Sequence, residues 1–191
     1  VDVNGILTLE RTIAMESGAE YKSYGPPAIN ESGTAVYQRD GDNVILSTSD
    51  GTTASAAVVE IARVWFYNEQ IFVNTYEGNI TSFNASLDEN SRQEFSTGTG
   101  GRMYGAAGRE IDGRHYLFIP VQRSADETLN GIYQLEIQAD GSLKEIAFSA
   151  KEEGVDRMTV SGDGDTVFFS YRIRSGDNKG RYFGVVEIPA S

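Results

Sequence analysis

Arginines, a lone histidine and three short acidic runs are the residues of this 191-residue chain whose types and spacing could do chemistry. Arg39, Arg102, Arg123, Arg157 and Arg174 fall in or beside segments that read as strand-linking loops. A guanidinium presents a planar fork of donors that matches a carboxylate or phosphate bidentately, so arginines gathered at one opening would hold a small anionic ligand such as an organic acid, a phosphate or an acidic sugar. Arg102, Arg123 and Arg157, with Tyr104 as a flat stacking face, are the expected ligand-binding residues; Tyr133 offers a second ring. Pairing of each arginine with a neighbouring Asp or Glu competes with that reading.

The acidic runs are "DGDN" (Asp40 to Asn43), "SGDGD" (Ser161 to Asp165) and "SGDN" (Ser175 to Asn178). Closely spaced carboxylates suit calcium, a hard ion that takes six to eight oxygens, and Asp40, Asp42, Asp163 and Asp165 are its candidate ligands. None of the runs has EF-hand spacing. Asp-Gly pairs are also what tight hairpin turns require, and turn chemistry is the stronger claim on these residues.

His115, in "DGRHYLF", is the single histidine and opens an apolar run, which favours a structural role over a catalytic one. The sequence contains no GxSxG. A Ser-His-Asp hydrolase is therefore not expected. The glycine cluster "STGTGGRMYGAAG" (Ser96 to Gly108) lacks the Lys-Ser/Thr of a phosphate loop and opens no helix. Its glycines are expected to let the chain turn tightly between structural units. With no cysteine, there is no disulfide, thiol nucleophile or thiolate metal site.

Charge narrows the partners. The 28 acidic and 16 basic residues give a formal net charge of -12 without a basic run, which argues against nucleic acid and for cationic partners or plain solubility. No apolar stretch reaches the roughly 20 residues of a membrane span. The opening "VDVNGILTLERT" has neither an initiator Met nor a signal-peptide pattern and is expected to begin a mature or trimmed product, with a periplasmic or extracellular location.

These residues must be positioned by strands. Runs rich in Val, Ile, Tyr, Phe and Thr alternate with period two and are punctuated by Gly, Asp and Asn; the only windows compatible with helix are Ala54 to Ala62 and Ser149 to Val155. Four segments share one pattern of apolar strand, polar turn and apolar strand: Ala35 to Gly51, Ile71 to Ala85, His115 to Gly141 and Thr166 to Ile188. A short apolar segment precedes each ("GPPAI", "RVWFY", "RMYGAAG", "RMTVSGDG"), and a fourth strand follows the first three ("SAAVVEIA", "RQEFST", "LKEIAFS"). A two-stranded hairpin buries too little to stand alone, so each is part of a larger sheet. Four-stranded repeats of about 35 to 50 residues are the signature of propeller blades.

"IFVNTYEGNITSFNASLDEN" resembles the blade unit of PQQ-like and YncE-like propellers, and "IYQLEIQADGSLKEI" and "MTVSGDGDTVFFSY" resemble blade phrases of lactonase-type and surface-layer propellers. The resemblance implies an all-β propeller and carries no active-site motif. The expected fold is a single domain of four blades of four antiparallel strands, at about residues 20–62, 63–98, 102–149 and 157–191. The strand Gly5 to Thr12 would complete the last blade, unless the chain is part of a larger propeller. The expected function is a non-catalytic binding or protein-interaction module with its ligand at the channel mouth. The alternatives are a metal-assisted lactonase- or glycosidase-like hydrolase and a structural segment of a larger surface protein. The sequence leaves the oligomeric state open.

Overall fold

The computed structural model describes residues 27–39, 42–98, 100–103, 105–122, 127–150, 155–160, 166–173, 177 and 179–187, in strands, two short 3₁₀ segments and the turns and links between them. Gly5 to Thr12, Asp40, Tyr104, Arg123, Asp163, Asp165 and Arg174 lie outside the described residues, and Arg39 and Arg157 are described in their backbone alone. The fold is all-β, with four antiparallel sheets as propeller blades.

The first sheet comprises β1 (Ala28–Ile29), β2 (Ala35–Arg39), β3 (Asn43–Ser47) and β4 (Thr53–Ala57). The second comprises β5 (Ile61–Tyr67), β6 (Gln70–Thr75), β7 (Asn79–Asn84) and β8 (Gln93–Ser96). The third is formed by β9 (Ala107–Ile111), β10 (Arg114–Val121), β11 (Gly131–Ile137) and β12 (Leu143–Ala150). The fourth holds three described strands, β13 (Val155–Val160), β14 (Thr166–Ile173) and β15 (Gly180–Glu187). Strands neighbour one another in chain order within every sheet, so each blade is an up-and-down meander.

Two local findings differ from the sequence pattern. The window Ala54 to Ala62 is neither a helix nor one continuous strand: β4 ends at Ala57, and the chain turns through Glu60, at φ +56°, into β5. The first strand of the third sheet is Ala107–Ile111; Arg102, five residues earlier, makes only an isolated antiparallel bridge to Gln122. Gly100 sits at φ +58° on one side of Arg102 and Gly105 breaks the pattern on the other, so the glycine cluster delays the strand until a regular alternation begins.

The core lies between sheets, because alternate residues of the middle strands point to opposite neighbours. On β6, Ile71 and Val73 pack with Val36, Val44 and Leu46 of the first sheet, while Phe72 between them packs with Leu117, Ile119 and Leu135 of the third. On β10, Leu117 and Ile119 face the second sheet and Phe118 faces Val155, Val167 and Phe169 of the fourth. Strands covered on both faces need apolar residues at every position, which is why "IFV" and "LFI" read as unbroken apolar runs. The stacking carries the first strand of each sheet, and the turns at its ends, into fixed positions.

Candidate functional site

In a meander the connections alternate between the two ends of the strands, so the blades present two rims. One rim, here the crossover rim, gathers the turns after second strands and the chain passing from one sheet to the next. The other, the turn rim, gathers the turns after first and third strands.

Among the described residues the crossover rim is fastened by several hydrogen bonds between segments. Asp42 accepts the Glu60 N–H on Oδ1 at 3.0 Å, and its carbonyl accepts the Val58 N–H at 3.0 Å, tying the β2–β3 turn to the passage between the first two sheets. Asn74 is fully buried; it accepts from Trp65 Nε1 at 3.1 Å and donates from Nδ2 to the Gly105 carbonyl at 3.1 Å. The Trp65 ring stacks on Phe72 at 4.7 Å, so indole, amide and glycine-rich passage are held as one unit. Thr97 donates its N–H and its hydroxyl to the Gly78 carbonyl, at 3.1 and 3.0 Å. Gly78, at φ +81°, lies so close to this passage that a Cβ there would stand 2.7 Å from Thr97 Oγ1 and 2.9 Å from Gly101 N. The tight turns expected of the glycine cluster are thus also close approaches between backbones.

Arg102 belongs to this rim. Its N–H donates to the Gln122 carbonyl at 2.7 Å and its carbonyl accepts the Gln122 N–H at 3.0 Å, while Met103 beside it is fully buried. The guanidinium lies 5.7 Å from the centre of the Tyr76 ring, within cation–π range. The bridge brings Arg102 beside Gln122, which precedes Arg123 in the chain. Arg157 stands on β13 opposite Ser170. Of the four candidate calcium ligands only Asp42 is described, and its carboxylate holds a backbone N–H. Among the described residues no group of three or more His, Asp or Glu side chains could hold a metal ion.

The turn rim is open where the first three sheets adjoin. The turns at residues 30–34 and 68–69 border a cleft of about 590 Å³ lined by Glu31, Ser32, Phe66, Tyr67, Asn68 and Glu69. Tyr67 and Asn68 also line a neighbouring hollow of about 340 Å³, completed by Arg109, Glu110 and His115 of the third sheet. The β5–β6 turn is a two-residue hairpin with Asn68 at φ +48° and Glu69 at φ +55°, a backbone in which asparagine and glycine are preferred and glutamate is strained.

Tyr67 joins the two hollows. Its hydroxyl stands 3.3 Å from His115 Nδ1 and its ring meets the imidazole edge-on at 5.8 Å. The ring lies directly against Gly108, where an added Cβ would come within 2.2 Å of Tyr67 Cδ2. Burial raises the Tyr67 hydroxyl above its ordinary pKa, and the charge of Glu110 adds to the rise against the opposing effect of Arg109. The phenol therefore remains a neutral donor or acceptor at physiological pH. His115, read from the sequence as structural, contacts Tyr67 and with it lines the smaller hollow. Glu31, Glu69, Glu110 and Arg109 make no ion pair with any described residue. Unpaired charges around a concavity can bind a polar partner with groups already in place.

Sequence reasoning did not single out Tyr67, Asn68, Glu69 or Arg109. The available signal was "GREIDGRHY", a charged hairpin whose Asp112 and Gly113 both take positive φ, at +50° and +75°.

No protein-family model matches the sequence, and no curated protein matches it. Solved structures do match in fold. Dihydro-heme d1 dehydrogenase NirN in complex with DHE aligns at a TM-score of 0.56 and 18% identity, over 90% of this chain and 38% of that one. A chain of the mitotic checkpoint complex aligns at 0.62 and 12%, over 95% and 56%. BamB from Moraxella catarrhalis aligns at 0.55 and 16%, over 77% and 43%. This chain thus spans between 38% and 56% of the length of these relatives. At such identities the likeness establishes the β-propeller fold alone, and a dehydrogenase and a checkpoint assembly among the matches point to no common activity.

Proposed function

We propose that the chain is a non-catalytic binding module whose turn-rim cleft takes a ligand carrying amino or guanidinium groups, as part of a protein or as a small molecule. The carrying observation is the cleft of about 590 Å³ in which Glu31 and Glu69 flank Phe66 and Tyr67. Carboxylates beside aromatic faces suit a cation, which the rings attract through their quadrupoles. A net charge of -12 adds long-range attraction for such a ligand. The blade phrases resemble those of repeat propellers of the PQQ-like, YncE-like and lactonase-type kind, and that resemblance supports a site built from loops at the strand ends.

Calorimetric titration with spermidine and with a tetralysine peptide tests this reading. Saturable binding that weakens with added salt is expected, and the double variant Glu31→Gln, Glu69→Gln should weaken it about tenfold, the loss of two partly exposed ion pairs. Binding unchanged in that variant, or no binding of either probe, would remove the proposal. The bridge holding Arg102 beside Gln122 favours a second reading, a small anion at the crossover rim. Phosphate and citrate binding that Arg102→Ala abolishes would support that site without bearing on the cleft.

A further inference from the structure

The two hollows of the turn rim share Tyr67 and Asn68 but differ in charge. The charged residues lining the larger are both carboxylates, Glu31 and Glu69, whereas the smaller is bordered by one charge of each sign, Arg109 and Glu110. Neither Arg109 nor Glu110 makes an ion pair with a described residue, and the strand keeps them from neutralising each other. They are consecutive on β9, where successive side chains point to opposite faces. The register fixes the faces: Glu110 stands opposite His115, on the side where Gly108 lies against the Tyr67 ring, and Arg109 stands opposite Tyr116, which packs toward the fourth sheet. Both charges still reach Tyr67, whose hydroxyl Glu110 pushes up in pKa and Arg109 pulls down.

Opposite charges held apart around one hollow are the complement of a zwitterion. The α-carboxylate of an amino acid fits the fork of an arginine bidentately, and its α-ammonium donates to a carboxylate. A zwitterion seated there has the Tyr67 ring between it and the carboxylates of the larger hollow, and His115, 3.3 Å from the Tyr67 hydroxyl, holds that ring in place. The ligand's side chain must therefore cross a phenol face, which suits an aliphatic stem, and end between Glu31 and Glu69, which suits a cation. Lysine, ornithine and arginine have their groups in that order. Hollows of about 340 and 590 Å³ also have the size of small-molecule sites. We infer that the joined hollows bind a free basic amino acid, with its α-carboxylate on Arg109, its α-ammonium on Glu110 and its side-chain cation between Glu31 and Glu69. The inference rests on the reading of the larger cleft as a cation site and adds to it a zwitterion subsite, which a polyamine does not use.

Calorimetric titration with L-lysine and with cadaverine, the same molecule without its α-carboxylate, tests the inference. L-lysine should bind about tenfold more tightly than cadaverine, the effect of charge-assisted hydrogen bonds at a partly exposed site. Arg109→Gln should bring L-lysine down to the affinity of cadaverine while cadaverine still binds, which also reports that the variant is folded. Nα-acetyl-L-lysine has no α-ammonium for Glu110 and should bind the unaltered protein about tenfold more weakly than L-lysine, so this arm does not depend on a variant. Four results would overturn the inference and leave the cation site standing: equal binding of L-lysine and cadaverine, no binding of L-lysine where cadaverine or spermidine binds, a margin that survives Arg109→Gln, or Nα-acetyl-L-lysine binding as tightly as L-lysine. No binding of L-lysine, cadaverine or spermidine would remove both readings.

Discussion

The two rims of the blades contain similar residues in opposite conditions. On the crossover rim the polar groups are engaged: Asn74, Asp42, Thr97 and the Arg102 backbone each hold a neighbouring segment. On the turn rim Glu31, Glu69, Glu110 and Arg109 surround open space without an ion pair among the described residues. The difference teaches that residue type is a poor guide to a site. Asp42, in a run that suits calcium, fastens a turn, whereas Glu69, in an ordinary hairpin, borders the cleft.

Substitutions can break the contrast. Gly108→Val should have the largest effect, because its side chain would occupy the space of the Tyr67 ring. We expect a loss of about 3 kcal/mol in urea denaturation, at the upper end of overpacking costs, and loss of spermidine binding as the ring is displaced from between the two hollows. Retained stability and binding would show that the Tyr67–Gly108 contact does not shape the cleft. Asn74→Ala should come next, at about 2 kcal/mol, since it leaves Trp65 Nε1 and the Gly105 carbonyl without their partner; binding at the turn rim should be unchanged. A variant that lost binding as well would mean the rims are coupled.

Arg102→Ala should cost roughly 0.5–1 kcal/mol through the Tyr76 contact, while its backbone bridge to Gln122 survives. Chemical denaturation of that variant at a midpoint equal to the parent's would show that the ring contact adds nothing. The smallest effect should come from Asp50→Ala. The Thr48 hydroxyl and the Thr52 N–H and side chain lower the Asp50 pKa from 3.8 to about 2. A carboxylate with a depressed folded-state pKa contributes stability above its unfolded pKa and loses it as the pH falls through the folded one. Thermal melts between pH 5 and about pH 2 should therefore decline slightly less steeply in the variant than in the parent. An identical decline would show that this turn does not contribute to acid sensitivity.

Much of the fold was legible. The hairpin Ile71 to Ala85 reads directly as β6, a turn and β7, and "LKEIAFS" reads as β12, since alternation and Gly-Asp-Asn punctuation are properties of adjacent residues. The start of the third sheet was not legible at Arg102. "RMYGAAG" has the composition of a strand, but its backbone is committed elsewhere: Arg102 bridges to Gln122, and the Gly105 carbonyl accepts from Asn74, 31 residues away along the chain.

By itself the sequence determined the all-β class, the succession of four sheets and the turns between their strands, because period-two patterning and turn chemistry act over a few residues. Tertiary structure alone decided which loops share a rim and which charges remain unpaired. The Tyr67 hydroxyl reaches His115 across 48 residues of sequence, and Glu31 reaches the same cleft from another sheet. Such meetings depend on how whole sheets stack through Phe72 and Phe118, and no local pattern encodes the distance between side chains on different sheets.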